Sequence, residues 1–271
     1  MKSLAHSAVT IINAMANGKG GAIGIDLKVT ADVKIIDEGI NGDIHIRGRE
    51  YSDFTLVEHV KDVIEKEFDI EFGINIDIDS EIPIGKGLKS SSAVSNALTK
   101  AIVESLNIDL KDKEIINLGI KASKKAGVTI TGAYDDASAS YYGGVCLTDN
   151  SCNEILKRES IEEKPVILLL PEKTVLTSSL KNKNFENIKP FIDVIFETAL
   201  DGNWREASFL NGIVYSLFFR YDPKLMQEVL EWSEVVGLSG KGPAFYSITN
   251  NPEKVRDIWT PFGEILEAKT R

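Results

Sequence analysis

The segment from Pro83 to Ala93 constrains the fold and the chemistry of this chain more than any other part of its sequence. It lies between Gly73–Ile78, whose strict alternation predicts a strand, and Ser90–Leu106, whose apolar spacing predicts a helix. Glycine lets a backbone approach an anion closely, and the first turn of a helix presents unpaired N–H groups and the positive end of a dipole. The segment therefore predicts a phosphate-binding loop, called the phosphate loop below, although serines here are also typical of a simple helix cap.

Each residue of this loop is a candidate for binding ATP or phosphate. The candidates are Pro83, Ile84, Gly85, Lys86, Gly87, Leu88, Lys89, Ser90, Ser91, Ser92 and Ala93. The two lysines add positive charge, and the three serine hydroxyls can bind phosphate oxygens or Mg²⁺. The sequence contains neither GxxxxGK followed by Ser or Thr nor GxGxxG, which disfavours P-loop kinases and Rossmann dehydrogenases.

A second signal is the pair of adjacent acidic residues Asp135 and Asp136, which lies between small residues and the pair Gly143 and Gly144. Phosphoryl transfer needs a carboxylate that positions or deprotonates the attacking hydroxyl, or that holds the metal ion. Asp is equally common in solvated turns, so the local chemistry leaves both interpretations open.

A third segment, rich in glycine, precedes Ala244–Thr249, which predicts a strand. It consists of Ser239, Gly240, Lys241 and Gly242, and alone it fits a plain turn as well as a supporting loop at the site.

The N-terminal region holds the candidates for substrate binding, Lys19 and Asn13. Lys19 is flanked by Gly18, Gly20 and Gly21. These glycines would let the backbone approach a ligand, but a flexible hairpin explains them equally well.

Composition limits the class of protein. With 43% hydrophobic and 27% charged residues over 271 positions, the chain fits one large globular domain or two small ones. The net charge of −10 argues against nucleic-acid binding, which needs a basic face.

No run approaches the roughly 18 apolar residues of a membrane span, and Asn13 interrupts a faint secretory pattern. Two cysteines make no disulfide framework, so we expect a cytoplasmic protein without a membrane partner.

Strands and helices are mixed without strict alternation, which favours an α+β fold over a doubly wound parallel sheet. The polar stretch Ser151–Lys164 is the best candidate for a domain boundary and divides the chain into residues 1–155 and 156–271. Periodicity predicts further strands over Ala22–Val33, Asp43–Arg47, Gly143–Leu147 and Pro165–Leu170. It predicts further helices over Phe54–Phe68, Lys111–Ala126, Ile188–Leu200, Trp204–Phe219, Pro223–Val236 and Pro252–Phe262.

The phosphate loop resembles the central motif of the GHMP kinase superfamily, PxxxGLGSSAA, with Lys89 in place of a glycine and Ser92 in place of an alanine. In that superfamily the loop wraps the phosphates of ATP. A serine there helps to hold Mg²⁺, and by position it would be Ser91, with Ser90 or Ser92 as alternatives. The turn at Ser239–Gly242 resembles the third motif, which approaches the phosphate loop.

The resemblance also implies roles for the carboxylates. Mevalonate-kinase-like members carry an Asp seven residues before a Gly-Gly pair, and counting back from Gly143 places Asp136 there. Asp136 is therefore the implied catalytic carboxylate and a Mg²⁺ ligand beside Ser91, with Asp135 as the neighbouring alternative. The Glu that helps to bind Mg²⁺ in those kinases is replaced here by Lys125, so the second metal ligand departs from the family pattern.

A closer likeness singles out one family. The runs Ala8–Ala14, Gly20–Asp26 and Thr131–Asn150 resemble archaeal shikimate kinases. This implies two lobes, an N-terminal α/β lobe with the phosphate loop and a C-terminal ferredoxin-like lobe. It also implies ATP-dependent, Mg²⁺-dependent phosphorylation of shikimate to 3-phosphoshikimate, in aromatic amino-acid biosynthesis.

Two alternatives stay open from the residues alone. One is another GHMP kinase that acts on homoserine or mevalonate. The other is a non-catalytic nucleotide- or metabolite-binding regulator on the same fold. The family's lysine in the first motif corresponds here to Ala8, and its glutamate to Lys125, which keeps the second alternative open.

Overall fold

The structure is a computed structural model that describes residues 1–129, 131–172 and 183–271. Its strands are β1 (Lys2–Ile12), β2 (Lys19–Ile36), β3 (Ile40–Ile46), β4 (Arg49–Glu50), β5 (Gly73–Ser80), β6 (Val145–Asp149), β7 (Glu154–Glu159), β8 (Pro165–Leu170), β9 (Val235–Leu238), β10 (Phe245–Ile248) and β11 (Glu264–Lys269). Its α-helices are α1 (Thr55–Phe68), α2 (Ser90–Ser105), α3 (Asp112–Lys125), α4 (Tyr134–Tyr142), α5 (Lys189–Leu200), α6 (Trp204–Phe219), α7 (Lys224–Gln227) and α8 (Pro252–Trp259).

The first sheet is organised around the long strand β2. Residues Lys19–Ile23 of β2 pair with β6, Val29–Ile36 pair with β5, and β1 runs antiparallel beside it. The strand order is β4-β3-β5-β2-β6-β7, with β1 added on β2. Helices α2 and α4 pack against β1 and β2, and α1 and α3 pack against α2. This lobe therefore places the N-terminus of α2 at one end of the sheet, where the phosphate loop precedes it.

Helix α2 forms where the sequence predicts it because its buried side chains are small and recur at helical spacing. Ala93, Ala97 and Ala101 lie one turn apart on the buried face, beside Leu98 and Ile102. Alanine and leucine have the highest helix propensities, and small side chains allow close packing against the sheet.

The second sheet is antiparallel, with the order β11-β8-β10-β9. Numbered within this half of the chain, the order is 4-1-3-2, and the connections follow the β-α-β-β-α-β plan of the ferredoxin-like fold. Helix α6 packs on β9, and α8 packs on β8. The predicted α+β class and the ferredoxin-like C-terminal lobe are thus confirmed.

Several elements differ from the sequence prediction, which also contains neither β1 nor β4. The helix expected over Pro223–Val236 is represented only by the short α7, which ends at Gln227. The apolar run that begins at Val235 forms β9 instead, with all four of its residues buried and α6 packed against it. The sequence predicts no strand after the last helix, whereas β11 follows it and pairs with β8. The polar stretch chosen as a domain boundary contains β7, which pairs with β6 at the edge of the first sheet. The break between the two sheets lies between Glu159 and Pro165, whereas the predicted division at 155/156 falls inside β7.

Membrane-spanning helices were not expected from the sequence. Within the part of the chain that the structure describes, no helix has the length and apolar character needed to cross a bilayer.

Candidate active site

A pocket of about 490 Å³ lies where the phosphate loop, the start of α4, the end of β1 and the turn before β10 meet. Fourteen of the predicted site residues line it: Asn13, Pro83, Ile84, Gly85, Gly87, Leu88, Lys89, Ser90, Ser91, Ser92, Asp135, Asp136, Gly240 and Lys241. Five predicted residues are not on its wall: Lys19, Lys86, Ala93, Ser239 and Gly242. The three segments that the sequence singled out therefore share one pocket.

The backbone of the phosphate loop adopts left-handed conformations that favour glycine. Gly85 and Gly87 both have positive φ, at 73° and 84°, and Lys89 adopts a left-handed conformation just before α2 begins at Ser90. A Cβ atom on Gly87 would collide with the carbonyl oxygen of Ser239. Gly87 is thus required twice, for its backbone conformation and for the close approach of the second lobe.

The two lysines of this loop have different surroundings. The Lys86 ammonium donates hydrogen bonds to the carbonyl oxygens of Pro171, at 2.6 Å, and Glu172, at 3.2 Å. The Lys89 ammonium lies 2.9 Å from Asp136 Oδ1, and the two side chains are only 8% and 14% exposed. Of these two lysines, Lys89 is the one that brings its charge to the pocket.

The two adjacent aspartates also differ. Asp135 is buried, accepts a 2.8 Å hydrogen bond from Asn150 Nδ2, and donates its backbone N–H to Asn150 Oδ1 at 3.2 Å. Thr148 Oγ1 holds the same Asn150 oxygen at 2.7 Å. A Cβ atom on Gly20 would lie 2.5 Å from Asp135 Cγ, so the glycine makes room for this carboxyl group. Burial, and then the charge of Asp136, raise the pKa of Asp135 well above its usual range.

The turn at Ser239–Gly242, called the 239–242 turn, is tied to both lobes. Ser239 Oγ donates to the Gly87 carbonyl oxygen at 2.8 Å. The Gly240 N–H donates to Thr10 Oγ1 at 2.8 Å, and Asn13 Nδ2 donates to the Gly240 carbonyl oxygen at 2.9 Å. Glycine and small polar residues at this turn therefore hold the phosphate loop against β1.

The two N-terminal candidates, Asn13 and Lys19, lie in different places in the structure. Asn13 is buried and lines the pocket. The Lys19 ammonium lies 3.6 Å from Glu197 Oε1 and 5.3 Å from the ring centroid of Phe196, at the side of the second lobe. Lys19 thus pairs with the exposed Glu197 and lies over the buried Phe196 of α5, and it is not on the pocket wall.

The other end of the pocket is apolar and was missed from the sequence. It is lined by Ile44, Ile46, Tyr51, Leu56 and Val94, which come from β3, the segment before α1, α1 itself and α2. Asp53 and Thr55 lie there too, and the Thr55 N–H donates to Asp53 Oδ1 at 2.9 Å. The Asp-x-Thr pattern at the start of a predicted helix was the local signal available for this end.

Magnesium would need ligands from outside the protein as well as from it. Over residues 1–129, 131–172 and 183–271, no three His, Cys, Asp or Glu side chains cluster to hold a metal ion. Mg²⁺ in kinases usually takes one or two carboxylates together with substrate phosphates and water. The Asp136 carboxylate and the Ser91 hydroxyl, which line the same pocket, fit that donor set. Lys125 is exposed on α3, as expected for a solvated helix face.

Comparison with known proteins identifies the family. The model of the GHMP kinases N terminal domain matches residues 55–144. The chain is 50% identical to the shikimate kinase of Pyrococcus furiosus, over 98% of this chain and 97% of that protein. It is 47% identical to the shikimate kinase of Thermococcus kodakarensis over the whole of both chains. The chain belongs to the shikimate kinase family of the GHMP kinases. As a member it is a kinase of a small molecule that uses ATP with Mg²⁺.

Solved structures of more distant GHMP kinases share this fold. The mevalonate kinase of Methanococcus jannaschii superposes with a TM-score of 0.76 at 20% identity, covering 100% of this chain and 98% of that one. A homoserine kinase from Cytophaga hutchinsonii gives a TM-score of 0.75 at 16% identity, covering 100% and 94%. The two-lobed architecture of this shikimate kinase family member is therefore the common GHMP one.

Proposed function

We propose that this protein transfers the γ-phosphoryl group of ATP to the 3-hydroxyl group of shikimate. The observation that carries the choice of acceptor is the 50% identity, over 98% of the chain, to a protein named shikimate kinase. The pocket supports the reaction type, because a phosphate loop, two lysines and the adjacent carboxylates of Asp135 and Asp136 line one cavity. We place the reaction in the cytoplasm, where the two free cysteines would stay reduced.

The phosphate groups of ATP would lie at the start of α2. This helix has 16 residues, and its first turn contains Ser90, Ser91 and Ser92, whose hydroxyls line the pocket. The free N–H groups and the dipole of a helix N-terminus favour an anion, and Lys89 adds a charge beside them. These groups would bind and orient the polyphosphate without further rearrangement of the backbone.

The nucleoside would occupy the apolar end. Tyr51 offers an aromatic ring, and Ile46, Leu56 and Val94 offer aliphatic surface. A purine buries a flat apolar surface and needs few polar partners, which suits such walls. The transferred phosphoryl group would then point toward Asp136.

Asp136 is the proposed catalytic carboxylate. It lies at the start of α4, 2.9 Å from the Lys89 ammonium, so its charge is held at the edge of the phosphate site. There it can orient the acceptor hydroxyl in line with the phosphoryl group and accept its proton. Asp135 is buried and bonded to Asn150, and Asn13, which also lines the pocket, is the proposed contact for the acceptor.

Ser91 and Asp136 would hold the Mg²⁺ ion. When bound, the ion would supply positive charge that offsets the negative charge of the phosphate groups during transfer. Lys89, whose ammonium lies 2.9 Å from Asp136 Oδ1, would offset part of the same charge.

The test is ADP release with ATP and Mg²⁺, using shikimate, homoserine and mevalonate as separate acceptors. We expect turnover with shikimate alone. Turnover with homoserine or mevalonate instead would keep the kinase and reject the acceptor. ATP binding without turnover on any of the three would reject the proposal in favour of another acceptor or a regulator.

A further inference from the structure

Two lysines, Lys89 and Lys241, bring positive charge to the pocket from opposite lobes. Among the pocket residues in the part of the chain that the structure describes, they are the basic ones, and the acidic ones are Asp53, Asp135 and Asp136. We propose that Lys241 binds the terminal phosphoryl group of ATP and so discriminates ATP from ADP. This assignment rests on the proposed kinase function and adds a residue from the second lobe to it.

The backbone that carries Lys241 has a fixed position relative to the phosphate loop. Tyr221 Oη donates to the Lys241 carbonyl oxygen at 3.0 Å. One residue earlier, Gly240 is held by Thr10 and Asn13, each within 2.9 Å. One residue before that, Ser239 Oγ bonds the Gly87 carbonyl oxygen at 2.8 Å. The side chain therefore starts from a backbone held on both sides, which reduces the entropy that would be lost when it binds a phosphate.

The two lysines face the same volume. A Cβ atom on Gly240 would lie 3.0 Å from Lys89 Nζ, so the Lys89 ammonium packs against the residue that precedes Lys241. Burial, and then repulsion from Lys89, lower the pKa of Lys241 to about 8. Two cations held this close are stabilised by an anion between them, and the polyphosphate of ATP supplies such an anion.

The terminal phosphoryl group is the part of the nucleotide that fits this place. Lys89 contacts Asp136, the carboxylate assigned to the acceptor hydroxyl, and therefore marks the transfer end of the pocket. The nucleoside end, at Tyr51 and Leu56, is formed by the first lobe. Lys241 comes from the second lobe beside Lys89. It would therefore reach the γ-phosphoryl group that is transferred, rather than the α- and β-phosphates that remain in ADP.

The experiment compares the affinities for ATP and ADP, each with Mg²⁺ and without acceptor, by titration calorimetry. In Lys241→Met we expect ATP to bind roughly 10- to 100-fold more weakly, the usual cost of one hydrogen bond to a charged group. The affinity for ADP should fall by less than about 3-fold, because Lys241 would attract its phosphates only at a distance, where solvent and salt screen the charge. Lys241→Arg keeps the charge and should retain most of the preference for ATP.

The matched control is Lys224→Met, which removes an exposed lysine of the same lobe that is not on the pocket wall. It should leave both affinities unchanged. If Lys241→Met does not fold, Lys241→Gln is measured instead, against Lys241→Arg, with the same ratio as the readout.

Two results would overturn the assignment. They are an equal loss of ATP and ADP affinity, and no loss of ATP affinity in a folded Lys241→Met protein. Because no acceptor is present in the titrations, the outcome is separate from the proposed function. Loss of the ATP preference in an enzyme that does not use shikimate would reject the acceptor and leave the Lys241 assignment standing.

Discussion

Two of the segments that combine lysine with glycine in the first lobe, the phosphate loop and the region where β1 passes into β2, differ in whether the lysine reaches the pocket. In the phosphate loop, Lys89 follows Gly87 and its ammonium lies 2.9 Å from Asp136 inside the pocket. In the turn that joins β1 to β2, Lys19 lies between Gly18 and Gly20, and its ammonium pairs with Glu197 outside it. From the sequence alone both were candidates for ligand binding.

The two lysines differ in the secondary structure that comes directly after them. Lys89 directly precedes α2, so its left-handed backbone points the chain into a helix whose N-terminus faces the pocket. Lys19 is the first residue of β2, lies opposite Asp149 of β6, and donates its N–H to Asn17 Oδ1 at 3.0 Å. A helix N-terminus leaves several N–H groups free for an anion, whereas a paired strand leaves none. Of these two first-lobe segments, the one that a helix follows is therefore the one that contributes to the phosphate site.

The largest expected effect comes from removing the carboxylate that contacts Lys89 of the phosphate loop. We expect Asp136→Asn to keep ATP affinity and to lower kcat by about 10²- to 10⁴-fold, the usual contribution of a general base. Rates of ADP release with saturating shikimate, together with ATP titration, measure both quantities. A kcat close to that of the wild type would remove Asp136 from its proposed role and move attention to Asp135.

A matched pair of glycines tests the shape of the two segments. Gly87 and Gly18 both have positive φ, at 84° and 78°, but a Cβ on Gly87 would collide with Ser239, while one on Gly18 would meet nothing within 4 Å. We expect Gly18→Ala to cost about 1 kcal/mol of unfolding free energy, the cost of a left-handed backbone. Gly87→Ala should cost roughly 1–3 kcal/mol more, because the two lobes must also separate locally.

Urea unfolding of both variants gives the two free energies, and ATP titration shows whether the site is lost with them. Equal destabilisation by Gly87→Ala and Gly18→Ala would mean that the contact between the phosphate loop and the 239–242 turn is not required.

The charges of the two segments provide a third comparison. We expect Lys89→Met to weaken ATP binding by roughly 10-fold or more, since a hydrogen bond to a charged group is lost in a mostly buried setting. The variant also leaves Asp136 without its ion-pair partner, so its melting temperature is recorded, and Lys89→Arg serves as the control that keeps the charge. Unchanged ATP affinity in a folded Lys89→Met protein would contradict the proposed phosphate site.

Local patterns were enough to predict some of these features and not others. The phosphate loop, α1 and α2 follow from glycine, capping and helical spacing within single stretches of chain. Strand β9 could not be separated from a helix, because the run from Val235 to Leu238 is buried on every side by contacts with α6 and β10. A continuous apolar run has no periodicity that distinguishes the two structures.

The site shows the same limit at the level of single residues. Asp135 and Asp136 are neighbours on α4, about 100° apart around the helix, so one is buried against Gly20 while the other faces Lys89. Which of them pairs with Lys89 depends on β2 and on Asn150, which lies fifteen residues after Asp135 and binds its carboxylate. Likewise, Lys86 and Lys89 share a loop without periodicity, and only the position of Pro171 in the second lobe separates them.

The smallest expected effect comes from the turn between β1 and β2. Lys19→Met removes one ion pair, in which the lysine side chain is 38% and that of Glu197 63% exposed, and such surface pairs contribute about 0–1 kcal/mol. We therefore expect kcat, and the KM values for ATP and shikimate, to stay within about 2-fold of the wild type, a limit that corresponds to the same small energies. A KM for shikimate raised 10-fold or more would place Lys19 at the carboxylate of the acceptor. The turn would then belong to the site, and a helix after the lysine would no longer be the feature that separates the two glycine-lysine segments.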